Sequence, residues 1–216
     1  MRSLSRRRFA TTLSGAVAAV LAPGHAAAFE KRAGEPEGRP LVDLSSNENP
    51  YGPSPAALAA MTAAQAAACR YPDDAEQRVV EAVARHHAVA PECVVLGCGS
   101  SEVLRLCDAA FLGPGRTVVS AEPTFEAVLH FAKVTRAEAV TVPLTADHRH
   151  DLDAMARACD ARTGLVYVCN PNNPTGTIVS GQALRAFVER IPPAAAVVVD
   201  EAYFHFVEDG SYASAA

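Results

Sequence analysis

From residue 92 onward the chain repeats one pattern, a short Val-rich run followed by an amphipathic stretch. The runs are ECVVLG, TVVSAE, AEAVTVPL, GLVYVCN and AAAVVVD, and helical periodicity starts near Ser100, Pro123, Asp151 and Ser180 between them. Each run is apolar throughout instead of alternating. That is how strands read when helices cover both faces of a parallel sheet. The pattern predicts an α/β fold, a largely parallel sheet with helices on both faces. In such sheets ligands sit beyond the carboxyl ends of the strands, so the residues just after each run are the ones to search. No internal repeat interrupts the pattern.

Upstream, Ser54 and Pro55 read as a cap and first-turn pair opening an Ala-rich helix to about Ala68, and Asp73 or Asp74 caps a second to about Ala88. Residues 29–53, rich in Gly, Pro, Glu and Asn, read as an arm laid on other structure. Residues 1–28 have the make-up of an export signal: a basic start, a mildly apolar stretch over 9–22, and small residues at Ala26 and Ala28 before a cleavage point. The apolar stretch falls short of the roughly 18–20 residues that span a bilayer, so no permanent membrane anchor is expected. Ser5-Arg6-Arg7-Arg8-Phe9 resembles the twin-arginine address, which exports proteins already folded. The expected organisation is a signal over 1–28, an arm over 29–53 and a main domain over 54–216, in a protein exported to the periplasm.

Composition excludes several classes. Half the residues are hydrophobic, too many for a disordered chain, and the 13 Gly and 15 Pro follow no period. Beyond residue 28 the formal charge is about −9, which opposes the phosphate-covering basic face that nucleic-acid binding requires. The six cysteines include no Cys-x-x-Cys pair and lie mostly in apolar runs, where a thiol acts as a small buried hydrophobe. In DHRHD, His148 and His150 are spaced for a metal, but Asp151 lies between a strand and a helix and is expected to serve as a cap.

The segment GCGSSE carries the first chemical signal. Gly97 and Gly99 let the backbone turn, and Ser100, Ser101 and Glu102 open a helix whose expected apolar face is Val103, Leu106, Cys107, Ala110 and Phe111. Free N–H groups at that start suit a phosphate. A dinucleotide reading, with Glu122 on the ribose, fails because Glu102 stands at the third glycine position of that fingerprint.

Two later segments, VCNPNNPTG and VVVDEAY, each close a predicted strand. With LSSNENPYGPSP, RYPDD, GCGSSE and EPTFEAV they resemble, in the same order, the fold-type I pyridoxal-phosphate aminotransferases, most closely those acting on histidinol phosphate. The resemblance runs from Leu41 to the end. It implies pyridoxal 5′-phosphate as cofactor, an amino acid and a 2-oxo acid as substrates, and a homodimer. It also implies that Ser100, Ser101 and Glu102 bind the cofactor phosphate, with Tyr71 reaching it from the partner subunit. Phe125 would stack on the ring, where family members usually carry Tyr. Asn173 and Tyr203 would hydrogen-bond the phenolic oxygen, and Asp200 would pair with the ring nitrogen. Asn47, Asn49 and Tyr51 would line the substrate entrance. Asp200 and Tyr203 are thus the expected catalytic residues; a carboxylate ending an apolar strand independently calls for a partner.

Transamination also needs a lysine, first as the cofactor's Schiff-base partner and then as the amine that moves a proton. The chain has two, Lys31 in the arm and Lys133 in the helix after EPTFEAV, whereas the family's lysine follows a Ser beyond DEAY. The chain therefore reads as a truncated enzyme, expected alone neither to transaminate nor to hold the cofactor covalently, and to expose apolar surface. Two other readings share these motifs: a different pyridoxal-phosphate chemistry such as decarboxylation of a phosphorylated amino acid, and a non-catalytic remnant.

Overall fold

The computed structural model describes residues 45–216. The export signal, Lys31 and most of the arm lie outside the described residues. Four strands, β1 (Thr117–Glu122), β2 (Glu138–Pro143), β3 (Thr163–Cys169) and β4 (Ala196–Asp200), form one parallel sheet in the order β2-β1-β3-β4. The central strands β1 and β3 are buried almost throughout, and their neighbours alternate along each strand. Val119, Val166 and Val168 pack in a cluster with Met155, Leu184 and Phe187, from helices α5 (Leu152–Ala158) and α6 (Gly181–Val188). Val118, Leu165 and Tyr167 pack in another, with Leu104, Val128 and Ala132 from helices α3 (Ser100–Phe111) and α4 (Ala127–Thr135). Successive strand residues face opposite sides, so covering both sides requires an unbroken apolar run.

Local chemistry sets the helix starts. Asp151 and Ser180 cap α5 and α6 by accepting from the N–H of Ala154 at 2.8 Å and of Ala183 at 3.2 Å. Ser54 caps helix α1 (Pro55–Ala64) in the same way, through Ala57 N–H. Helix α2 spans Asp73–His87, with Pro72 at the cap position; Asp73 and Asp74 are not caps but first-turn acids, with Glu76, where the helix dipole favours negative charge. Gly164 has a packing reason: a Cβ there would run into the carbonyl oxygen of Phe111 and lie 3.2 Å from Arg116 Nε. The end of α3 and the start of β3 approach too closely for any side chain.

Four expectations need correction. Residues 92–97 are not a strand; a 3-10 turn at Pro91–Cys93 leads into extended chain in which Val95 is 74% exposed. An apolar run becomes a strand only when a neighbour takes its N–H and C=O groups, and none of β1–β4 pairs with it. The exposed cysteines Cys69, Cys93 and Cys98 accordingly are not buried hydrophobes, whereas Cys169 is buried. On α3 the fully buried residues are Leu104 and Asp108, while Leu106 and Phe111 are exposed. The buried stripe is rotated from the expected one and includes a carboxylate. The helix expected from Pro123 starts at Ala127, since Thr124 is held by a side chain across the sheet.

The described residues divide into two compact units, 45–66 and 67–216. Helix α1 falls in the first, and none of its residues is buried. Among the described residues no helix is long and apolar enough to cross a membrane.

Candidate active site

Strand register brings the chemistry together. Cys169 lies opposite Asp200 on adjacent strands, so the segments following β3 and β4 leave the sheet side by side. With the loop after β1 and the start of α3 they enclose a cavity of about 80 Å³, lined by Ser100, Phe125, Cys169, Asn173, Asp200, Ala202 and Tyr203. Five of these come from the expected site, drawn from four separate segments. Gly99, at φ 77°, turns the chain into α3 without a side-chain cap, leaving the first-turn N–H groups to face an anion beside Ser100.

Asp200 is anchored at both oxygens: Oδ2 accepts from the Tyr167 hydroxyl at 2.9 Å and Oδ1 from Ala202 N–H at 3.1 Å. The partner expected for this carboxylate is thus supplied in part by the protein itself. Tyr167 carries no family motif and was not legible as a site residue; its one signal is a hydroxyl in an otherwise apolar strand. Cys169 also faces the cavity, with burial pushing its thiol ionisation upward.

Behind the cavity, Asn172 forms a second unexpected feature. Buried to 2% exposure, its Oδ1 accepts from Thr124 Oγ1 at 2.7 Å and from His150 Nε2 at 3.1 Å. Its Nδ2 donates to Pro123 O at 3.2 Å and to Thr175 Oγ1 at 2.9 Å. One side chain therefore ties together the loop after β1, the loop before α5 and the turn after β3. Phe125 and Asn173, the next residues along from Thr124 and Asn172, line the cavity. His150 has its ionisation pulled down by burial, which suits a neutral ring donating through Nε2. His148 is exposed, and no group of three His, Cys, Asp or Glu among the described residues is placed to hold a metal. Replacing Asn172 with Leu leaves several buried polar groups without partners and should destabilise the fold by roughly 3 kcal/mol, read from urea unfolding midpoints.

Other expected residues of the second unit do not line the cavity. Glu102 accepts from Cys98 N–H at 2.6 Å and pairs with Arg105 at 3.8 Å, so it closes the start of its own helix; Ser101 is exposed and does not line the cavity. Tyr71 is 93% exposed. Asn47, Asn49 and Tyr51 belong to the first unit, where Asn49 shapes a local turn by accepting from Tyr51 N–H and donating to Gly52 O. Glu122 is exposed at the end of β1, and Lys133 is exposed on α4.

Comparison with known proteins identifies the family. Residues 39–216 match the family model for aminotransferase class I and II. A histidinol-phosphate aminotransferase of Geobacillus thermodenitrificans is 45% identical over 172 residues, covering 80% of this chain and 47% of that protein. An aromatic amino acid aminotransferase of Corynebacterium glutamicum is also 45% identical over 172 residues, covering 78% of this chain and 50% of that one. Among solved structures, the histidinol-phosphate aminotransferase of Sinorhizobium meliloti in complex with pyridoxal-5′-phosphate superposes with a TM-score of 0.73 at 27% identity, over 77% of this chain and 46% of its own. The chain spans about half the length of the curated relatives it matches.

Proposed function

We propose, since this chain belongs to the class I and II aminotransferases, that the protein moves an amino group between an amino acid and a 2-oxo acid using pyridoxal phosphate. The observation carrying this is the single cavity that gathers a carboxylate, an amide, a phenol, a flat apolar ring and a helix start. That donor set fits a planar ring bearing a basic nitrogen, a phenolic oxygen and a phosphate. Asp200 would hold the ring nitrogen, Asn173 and Tyr203 the phenolic oxygen, Phe125 the ring face, and the start of α3 at Ser100 the phosphate. When bound, the cofactor supplies an electron sink for charge developing at the substrate α-carbon.

The chain's own contribution is orientation and charge. Asp200, fixed at both oxygens, keeps a proton on the ring nitrogen, while Phe125 sets the plane of the ring. Lys133 is not among the residues lining the cavity, so we assign the proton-moving amine to the part of the relatives' length that this chain does not span. For the donor we favour histidinol phosphate or an aromatic amino acid, on the strength of the relatives' names. The exposed Tyr71 supports assembly as a homodimer in which it reaches a partner's phosphate site.

The test incubates the protein, extended to the relatives' full length, with pyridoxal phosphate, 2-oxoglutarate and either one of these donors or a phosphorylated amino acid, and follows glutamate. Glutamate formed from one donor class supports the reading, whereas release of carbon dioxide without glutamate identifies a decarboxylase. No turnover, with no cofactor-labelled lysine after borohydride reduction, identifies a remnant.

Export by the twin-arginine route is proposed from Ser5-Arg6-Arg7-Arg8-Phe9. Changing both Arg6 and Arg7 to Lys should abolish periplasmic accumulation. Equal export in a strain lacking that machinery would overturn the assignment.

A further inference from the structure

We propose that Tyr167 is a positioning residue for Asp200, its buried hydroxyl fixing the carboxylate in the orientation that meets the cofactor's ring nitrogen. The proposal rests on the placement of pyridoxal phosphate proposed above. Tyr167 lies in the middle of β3 with no exposed surface, in the cluster that contains Leu104 and Val128. Its register partner on β4 is Val198, so Asp200 stands two residues further along the neighbouring strand, within reach of a long side chain on a diagonal. The phenol spans that diagonal and donates to Oδ2 at 2.9 Å.

Two physical consequences follow from the burial. A buried phenol needs a partner for its O–H, and here that partner is a carboxylate lining the cavity. Burial, together with the neighbouring Cys169 and Asp200, drives the phenol's ionisation above its ordinary range, so the group remains a donor wherever the protein is folded. With Ala202 N–H on the other oxygen, the carboxylate reaches the cavity in a fixed orientation. So held, the carboxylate stays aligned with a ring N–H.

Tyr167→Phe keeps the ring and its packing and deletes only the hydroxyl; Tyr167→Met is a second phenol-free variant should Phe fold poorly. The experiment binds pyridoxal 5′-phosphate labelled with ¹⁵N at the ring nitrogen, and records its NMR shift at pH 7.5 in the wild type, both Tyr167 variants and Asp200→Asn. The expected result is a pyridinium-like shift in the wild type, a neutral-pyridine shift in Asp200→Asn, and a value between them in the Tyr167 variants. Cofactor affinity should weaken about three- to tenfold in those variants. Tyr167 variants with the wild-type shift, beside a displaced Asp200→Asn, overturn the proposal and leave Tyr167 a core residue. An Asp200→Asn shift equal to wild type instead removes the Asp200 assignment beneath it.

Discussion

In an enzyme of the relatives' full length, replacing Asp200 with Ala should lower turnover by about 10²–10³, the scale on which removing one preorganised electrostatic partner acts, while cofactor affinity falls far less. The asymmetry follows from the geometry. Phe125, Asn173, Tyr203 and Ser100 still surround the same cavity, so most binding contacts survive. What is lost is the charge keeping a proton on the ring nitrogen, and that proton matters most when negative charge develops at the substrate. Steady-state amino transfer and cofactor titration on the same preparation measure both quantities. A rate loss below tenfold, less than about 1.4 kcal/mol of barrier, would mean that Asp200 is misassigned.

The second large effect lies away from the site. Asp108 on α3 has no exposed surface, and neither carboxylate oxygen has a hydrogen-bond partner. Burial pushes its ionisation up from 3.8 to about 6. The folded protein therefore holds a proton that the unfolded chain releases earlier. The resulting stabilisation is present in full below pH 3.8 and lost as pH rises to about 6. The loss is on the order of 2–3 kcal/mol. Asp108→Ala removes the buried charge, and should raise stability at pH 7.5 by about 1–3 kcal/mol, with a smaller gain at pH 4.5. Urea unfolding at the two pH values decides the matter; an equal gain at both would show that packing, not charge, is responsible.

These residues mark how far the sequence carries. TVVSAE became β1 residue for residue, and Asp151 and Ser180 became caps, because burial on two faces and side-chain capping leave signatures in a few adjacent residues. Phe125, Asn173, Asp200 and Tyr203 were legible through motifs that follow strands, and they line one cavity. Tyr167 and Asn172 were less legible, since their importance depends on partners 33 and 48 residues away. Asp108 misled for a related reason. A charged residue reads as solvent-facing, and its neighbours Leu106, Ala110 and Phe111 offered an apolar stripe at equally good helical spacing. The ECVVLG run failed because strand formation depends on a neighbour, which local composition does not encode.

The side chain of Asn172 has an implication for redesign. Thr124, His150 and Thr175 are joined through it, so exchanging any one alone strands polar atoms of the others, and the group has to be rewritten together or left intact. Pro123 enters through its carbonyl only, which frees its side-chain identity from that bond. Phe125 and Asn173 face the cavity from the far side of the same joint. A library confined to those two positions could retune what the cavity accepts while the joint beneath continues to set the spacing of the loops.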